Sequence, residues 1–166
     1  IENLLFLAHA DESRQGIPKQ ALSLSDLVSE MALAFEALAF EKGQTLDSLI
    51  KPGLQVQGDP DLLRQLLGIL LDNAVKYTPE GGSIAVELKV NRDKPQLTIR
   101  NTPAYIEKEH LSDLFDRFYR QDSARNKAEG GYGLGLSIAA EIARQHGASL
   151  KVMSDPETGT SFVLGF

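Results

Sequence analysis

Two stretches of the sequence hold polar side chains and glycines in patterns that point to chemistry. In the segment 70–79, LLDNAVKYTP, Asn73 and Lys76 fall on one face of a predicted helix and the leucines point elsewhere. A neutral amide oxygen can take one position in the octahedral shell of Mg²⁺, and an ammonium group neutralises phosphate charge. The pair therefore suits a Mg²⁺–triphosphate group, and the alternative is an ordinary solvated helix end, which uses the same residue types.

The second stretch is the segment 130–136, GGYGLGL, at the start of a predicted helix over 134–146. Glycines there allow backbone amides to approach phosphate oxygens, and the helix N-terminus adds a partial positive charge. The segment follows no strand and lacks the Lys-Ser/Thr ending of a P-loop, so neither the dinucleotide nor the Walker motif fits. A single glycine pattern of this kind is weak evidence by itself.

The composition limits the classes of protein to consider. The 166 residues suffice for one compact domain, and no apolar run approaches the ~20 residues that cross a bilayer. The absence of cysteine excludes a disulfide frame and a thiolate metal site, which fits a reducing cytosol. A net charge of -6 argues against nucleic acid as a partner, because that affinity comes mainly from basic residues.

The hydrophobic spacing predicts an alternation of helices and strands. Helices are expected from an N-cap at Ser25-Asp26 to Gly43, from Asp59-Pro60 to Tyr77, over Glu107–Phe118 and over Leu134–His146. Strands are expected at 45–50, 55–57, 83–90, 96–100, 149–153 and 161–166. The tract Arg120–Gly133 has no periodic apolar face and is predicted to be a mobile loop. The sum is an α/β (α+β) sandwich, with one mixed, mostly antiparallel sheet covered on one face by about three helices.

Three motifs occur in a specific order along the chain. They are the segments 73–77, NAVKY, 114–120, LFDRFYR, and 131–136, GYGLGL. Together they resemble the N box, the F box and the second glycine box of histidine kinase catalytic domains, and the resemblance extends to the closing segment 159–162, GTSF. It implies the Bergerat-type ATP-binding fold of the wider superfamily that includes gyrase, Hsp90 and MutL.

The resemblance implies a role for each matching residue. Asn73 would be the Mg²⁺ ligand, Lys76 a phosphate contact and Tyr77 a wall of the adenine pocket. The second glycine box would supply the loop facing the phosphates of ATP, with the neighbouring positions completing the nucleotide site: Gly131, Tyr132, Gly133, Leu134, Gly135 and Leu136. Phe115 and Phe118 would anchor the lid. Arg120 and Arg125 match basic lid positions and are candidate phosphate contacts.

One motif departs from the family pattern. Where the family has Asp-x-Gly-x-Gly, this chain reads NTPAYI from Asn101 to Ile106. Asn101 keeps an acceptor for the adenine amino group but replaces the carboxylate by an amide that can also donate, which would weaken purine selectivity. Pro103 forbids positive φ and removes a donor. The floor of the pocket, with Ile106, must therefore take another path, and Tyr105 could occupy the adenine site.

Two further observations bear on the reaction. In the superfamily, hydrolysis of ATP uses a glutamate one turn before the Asn73 position, and this chain has Ile69, which cannot activate water. Transfer of phosphate to an external imidazole needs chiefly positioning and charge neutralisation from this domain. His9, His110 and His146 lack the sequence that follows a phosphoacceptor histidine and are too scattered for a metal site, so they are predicted to be structural or solvated.

The expected organisation is the end of a dimerisation hairpin over 1–11, a linker over 12–20 and the catalytic domain over 21–166. The phosphoacceptor would then lie on an absent part of the hairpin in a homodimer. The resemblance also implies a response regulator downstream, a cytoplasmic location, and attachment to a membrane only through absent sensor segments. One alternative is a degenerate domain that has lost ATP binding and serves as a binding or allosteric module. A second is an anti-sigma-factor-type serine kinase of the same fold.

Overall fold

The computed structural model describes residues 16–117 and 134–166. Its strands are β1 (Gln20–Ser23), β2 (Thr45–Ile50), β3 (Gln55–Gly58), β4 (Ser83–Asn91), β5 (Lys94–Thr102), β6 (Ser149–Asp155) and β7 (Gly159–Gly165). Its helices are α1 (Leu24–Glu41), α2 (Pro60–Tyr77), the short α3 (Lys108–Leu111) and α4 (Gly135–Gln145). In the described ranges, no helix is both long and apolar enough to cross a membrane.

The main sheet has five strands in the order β2-β4-β5-β7-β6. Only the β2–β4 pair is parallel, and the other three pairs are antiparallel. Alternate residues of the central strands are buried, and they form the inner face of the sheet: Ile84, Val86, Leu88, Leu97, Ile99, Phe162 and Leu164. The mixed, mostly antiparallel sheet under a layer of helices confirms the predicted fold class.

Helix α2 supplies the centre of the helical layer. Its leucines recur at helical spacing, and five of them are at most 1% exposed: Leu63, Leu66, Leu67, Leu70 and Leu71. The Asp59 side chain caps the helix by accepting hydrogen bonds from the amides of Asp61 and Leu62 at 2.9 and 3.0 Å, and Pro60 follows as the first helical residue. The predicted start at Asp59-Pro60 and end at Tyr77 are both confirmed.

The start of α1 differs from the prediction. The N-cap is Ser23, whose hydroxyl accepts from the amide of Asp26, so the helix begins at Leu24. The predicted capping residue, Ser25, is buried, and its hydroxyl donates to the Lys51 carbonyl and accepts from the Leu54 amide. Ser23 and Ser25 both fit a capping pattern in the local sequence. Only the contact of Ser25 with the turn after β2 shows that Ser23 is the cap.

Strand β1 was not predicted from the sequence, and it forms a second, two-stranded sheet with β3. Gln20 pairs with Gly58 and Ser23 with Gln55, in antiparallel register. The two strands predicted at 45–50 and 55–57 are confirmed, but they belong to different sheets. The boundaries proposed for hairpin, linker and catalytic domain stay a prediction.

The helix predicted over Glu107–Phe118 is wrong in length. Helix α3 covers only Lys108–Leu111. Beyond it, the Asp113 amide donates to the His110 carbonyl, and the Asp116 amide donates to the Asp113 carbonyl. This spacing of three residues is typical of turns. These turns bring Phe115 against Phe162 of β7 in the main sheet, which a regular helix need not do.

His146 has the structural role predicted for it. It is 8% exposed, its Nε2 accepts from the Asp59 amide at 3.0 Å, and its Nδ1 lies 2.7 Å from the Ile142 carbonyl. These partners require the neutral tautomer with the proton on Nδ1. The end of α4 is thus joined to the start of α2. His110 is half-exposed beside Glu107 and Glu109, and His9 lies outside the described residues.

We expect His146→Leu to lower the free energy of unfolding by about 2 kcal/mol, because the substitution removes the acceptor of the part-buried Asp59 amide. The Ile142 carbonyl loses its side-chain partner but keeps its bond from the amide of residue 146 at 3.1 Å. Urea denaturation followed by circular dichroism measures this loss. His110→Leu is the matched control at a half-exposed position and should stay within about 0.5 kcal/mol of the wild type. Equal losses in the two variants would contradict the structural role of His146.

Candidate nucleotide-binding site

The predicted polar face at the end of α2 is present. Asn73 and Lys76 are half-buried, and the Tyr77 side chain is 58% exposed. The Lys76 ammonium lies 5.6 Å from the centroid of the Tyr77 ring, within range of a cation–π contact. An amide, an ammonium and an aromatic ring thus occupy the last two turns of one helix.

Gly82 brings the end of α2 next to the end of β5. A Cβ atom on Gly82 would lie 2.6 Å from Cγ2 of Thr78 and 2.9 Å from the Thr102 carbonyl oxygen. Only glycine therefore allows the turn after α2 to pack against the last residue of β5. The segment Asn101–Ile106, whose sequence departs from the family pattern, begins at the end of β5. Two predicted parts of the site, the end of α2 and this segment, therefore lie next to each other.

The N-terminus of α4 is the third part of the site. The N-cap position is Leu134, and it makes no side-chain capping hydrogen bond, in contrast to Ser23 at α1 and Asp59 at α2. Among the described residues, Leu134 supplies no side-chain cap to the first amides of α4, and a helix start of this kind suits an anion. A Cβ on Gly135 would lie 3.4 Å from Cγ2 of Ile69, which places this terminus against α2 one turn before Asn73.

The altered loop is fixed by side-chain hydroxyls. The Ile106 amide donates to Oγ of Ser154 at 2.8 Å, and that oxygen lies 2.8 Å from Oγ1 of Thr160. The Thr160 hydroxyl donates to the Ala104 carbonyl at 3.1 Å, which makes Ser154 the donor between the two hydroxyls. Hydrogen bonds from β6 and β7 thus give the loop a defined path without the family's glycines.

Asn101 and Tyr105 have different environments within this segment. Asn101 is 4% exposed and stands in the ladder between Ile84 and Thr160. Tyr105 is 48% exposed. Its occupation of the adenine position stays a prediction. Phe115 packs edge-on against Phe162 with a centroid distance of 6.4 Å, so it is held against the sheet. Its role as a lid anchor stays a prediction.

The described part of the site contains Asn73, Lys76, Tyr77, Asn101, Ile106, Leu134, Gly135 and Leu136. The other predicted site residues lie outside the described ranges: Phe118, Arg120, Arg125, Gly131, Tyr132 and Gly133. The predicted loop Arg120–Gly133 lies outside them as well.

Sequence reasoning missed several residues that shape the site: Gln44, Thr78, Gly82 and Ser154. Only Gly82 carried a local signal, since the pair Gly81-Gly82 marks a turn. Thr78 bonds within its own helical turn, to the Ala74 carbonyl. Gln44 and Ser154 act through partners 31 and 48 residues away, which no local pattern reveals.

Comparison with known proteins agrees with this geometry. Residues 58–166 match the family described as histidine kinase-, DNA gyrase B- and HSP90-like ATPase. The chain is 40% identical over 164 residues to the sensor histidine kinase CusS of Escherichia coli K12, covering 99% of this chain and 34% of CusS. It is 45% identical over 116 residues to the sensor histidine kinase YkoH of Bacillus subtilis, covering 70% of this chain and 25% of YkoH.

The fold agrees as well. The structure of the mycobacterial sensor histidine kinase MprB superposes with a TM-score of 0.78 at 25% identity, covering 89% of this chain and 97% of that one. The chain spans about a third of the length of its CusS relative. The family model, the relatives and the fold agree with the ordered motifs at α2 and α4, and the chain belongs to the histidine kinase-, DNA gyrase B- and HSP90-like ATPase family as a catalytic domain of the sensor histidine kinase type.

Proposed function

We propose that this chain binds Mg²⁺–ATP at the junction of α2, α4 and the end of β5, and that it donates the γ-phosphate to a histidine on a dimerisation hairpin. The observation that carries the proposal is that Ile69 of α2 packs against the start of α4, where Leu134 offers no side-chain cap, and that Asn73 and Lys76 follow Ile69 on the same helix. An amide oxygen, an ammonium group and helix N-terminal amides together match the metal and the phosphates of ATP.

The residues of the site fit Mg²⁺. Asn73 offers a neutral oxygen on the half-buried face of α2, and a site with one protein ligand is usual for a metal that keeps waters and phosphate oxygens around it. When bound, the ion would neutralise charge on the phosphates of ATP. Lys76 would contact a phosphate, and the amides at the start of α4 would face the phosphate oxygens.

The reaction proposed is transfer to an imidazole. A nitrogen of the acceptor histidine bonds to the γ-phosphorus, the bond from that phosphorus to the bridging oxygen breaks, and ADP leaves with the electron pair. Ile69 supports transfer over hydrolysis. Its Cγ2 methyl group packs against Gly135, and its apolar side chain has no basic group that could activate a water molecule.

The adenine would be held beside Tyr77 and the end of β5. Asn101 is buried there and can accept from the adenine amino group, and its amide can also donate, so we propose a broader purine selectivity than an aspartate would give. The hydroxyl-fixed path of Ala104–Ile106 supports a preformed floor for this pocket.

The longer protein proposed around this domain is a homodimer that phosphorylates a response regulator. Its sensor segments would attach it to a membrane and this domain would lie in the cytoplasm. The support is that CusS and YkoH, of which this chain covers 34% and 25%, are named sensor histidine kinases.

Calorimetric titration of the chain with ATP and Mg²⁺ tests the proposal. We expect a binding heat that falls sharply when EDTA replaces Mg²⁺, because the amide of Asn73 acts through the ion. An absence of heat at millimolar nucleotide would contradict nucleotide binding and favour the degenerate module.

A second arm tests the acceptor. The chain is mixed with the purified hairpin of the same protein and ATP labelled on the γ-phosphate. We expect acid-labile phosphate on the hairpin, as a phosphorylated histidine gives. Acid-stable phosphate on a serine would support the serine kinase instead.

A further inference from the structure

A buried glutamine lies beneath the end of α2, outside the residues assigned to the nucleotide. Gln44 is 5% exposed, and its Nε2 donates to the Val75 carbonyl at 2.9 Å and to the Thr78 carbonyl. These carbonyls are 31 and 34 residues away in sequence. They belong to the last turn of α2 and its C-cap, where carbonyl groups have no partner within the helix.

The glutamine itself is held firmly. Its backbone amide donates to the carbonyl of Ala39, which is fully buried at the end of α1, at 2.9 Å. Gly43 precedes it with φ 68°, and the Gly43 carbonyl accepts from the amide of Gly81 at 2.8 Å. The turn after α1 therefore clamps the turn after α2 through main-chain bonds, and the Gln44 side chain extends this clamp to α2.

The chemistry of the contact requires a donor with two hydrogens. A primary amide supplies one N–H to each carbonyl. Its own oxygen, Oε1, has no hydrogen-bond partner in the described part of the chain although it is buried. A buried acceptor without a partner is unfavourable, so the favourable part of this contact is the pair of hydrogen bonds from the nitrogen.

We propose that Gln44 is a positioning residue for ATP binding, which acts by fixing the last turn of α2. Asn73 precedes the Val75 carbonyl by two residues, and Lys76 and Tyr77 lie between the two carbonyls that Gln44 holds. The Thr78 hydroxyl holds the same turn by donating to the Ala74 carbonyl at 2.6 Å. Without Gln44 the turn frays, and the side chains that contact the nucleotide lose their fixed position.

The role proposed for Gln44 rests on the proposed function. The first test compares Gln44→Met with the wild type by calorimetric titration with Mg²⁺ and ATP. Methionine keeps the length of the side chain and removes both donors. We expect the Kd for ATP to rise about tenfold. Val56→Ala is the control, since Val56 is 9% exposed in β3 at the opposite end of α2 and its loss lowers the melting temperature without touching this turn. An unchanged Kd in Gln44→Met, or an equal rise in the control, overturns the proposal.

A double-mutant cycle with Thr78→Val locates the effect. If Gln44 acts through the last turn of α2, the two substitutions are coupled. The fold-change in the Kd for ATP of the double variant should then differ clearly from the product of the fold-changes of the two single variants. Independent effects on the Kd would show that Gln44 acts elsewhere.

A measurement on the wild type covers the case in which Gln44→Met fails to fold. The side-chain NH₂ protons of Gln44 should exchange with solvent far more slowly than those of exposed glutamines, and their NMR signals should shift when Mg²⁺–ATP is added. Fast exchange overturns the proposal. Slow exchange without any ATP binding by the wild type leaves the clamp in place and contradicts the proposed function instead.

Discussion

Asn73→Ala should reduce the affinity for Mg²⁺–ATP and the rate of phosphate transfer by at least about a hundredfold. The substitution removes the amide oxygen proposed to bind the ion. Alanine is the better helix former, and Asn73 is only half-buried, so α2 should keep its stability. A loss of binding then reports on the ligand and not on folding.

The control for Asn73→Ala is Arg64→Gln on the same helix. Arg64 makes an exposed ion pair with Glu30 at 2.6 Å, and loss of such a pair changes little. Titrations repeated in EDTA add a second criterion. There the wild type and Asn73→Ala should bind ATP equally weakly, because the amide no longer has an ion to hold. A difference that persists in EDTA would show that Asn73 contacts the nucleotide directly.

Gly159→Ala should lower the free energy of unfolding by at least about 3 kcal/mol. Gly159 has φ 88°, and a Cβ there would lie 2.3 Å from the Asn101 carbonyl oxygen. The variant therefore combines an unfavourable backbone conformation with a clash against the backbone of the neighbouring strand. The strand end that carries the proposed adenine contact must move to relieve it.

Gly147→Ala separates the two causes. Gly147 has φ 70°, and a Cβ there would meet no other atom within 4 Å in the described part of the chain. Only the conformational cost remains, about 1–2 kcal/mol. Chemical denaturation of both variants measures the difference. Equal losses of unfolding free energy in the two variants would show that β5 and β7 move apart easily at Asn101. That result would contradict the predicted clash.

The sequence by itself determined the features whose cause is local. The leucine spacing and the Asp59-Pro60 start define α2, because a cap and an apolar stripe act over a few residues. The hairpin of β4 and β5 follows from alternation on either side of a turn. The order of the three motifs identified the family, and Asn73 and Lys76 lie where helical periodicity placed them.

The tertiary structure decided what depends on residues far apart in sequence. Ser23 and Ser25 both look like caps, and only the contacts of Ser25 with Lys51 and Leu54 show which one is buried. The short α3 likewise reflects the packing of Phe115 on Phe162, which competes with helical spacing.

The same holds for the supports of the site. Gln44 reaches across 31 residues to the end of α2, and Ser154 reaches across 48 to the amide of Ile106. Neither contact leaves a pattern in the sequence, because hydrogen-bond partners brought together by folding have no fixed spacing along the chain. The residue types proposed to bind the nucleotide are thus readable from the sequence, and the side chains that hold them in place appear only in the folded chain.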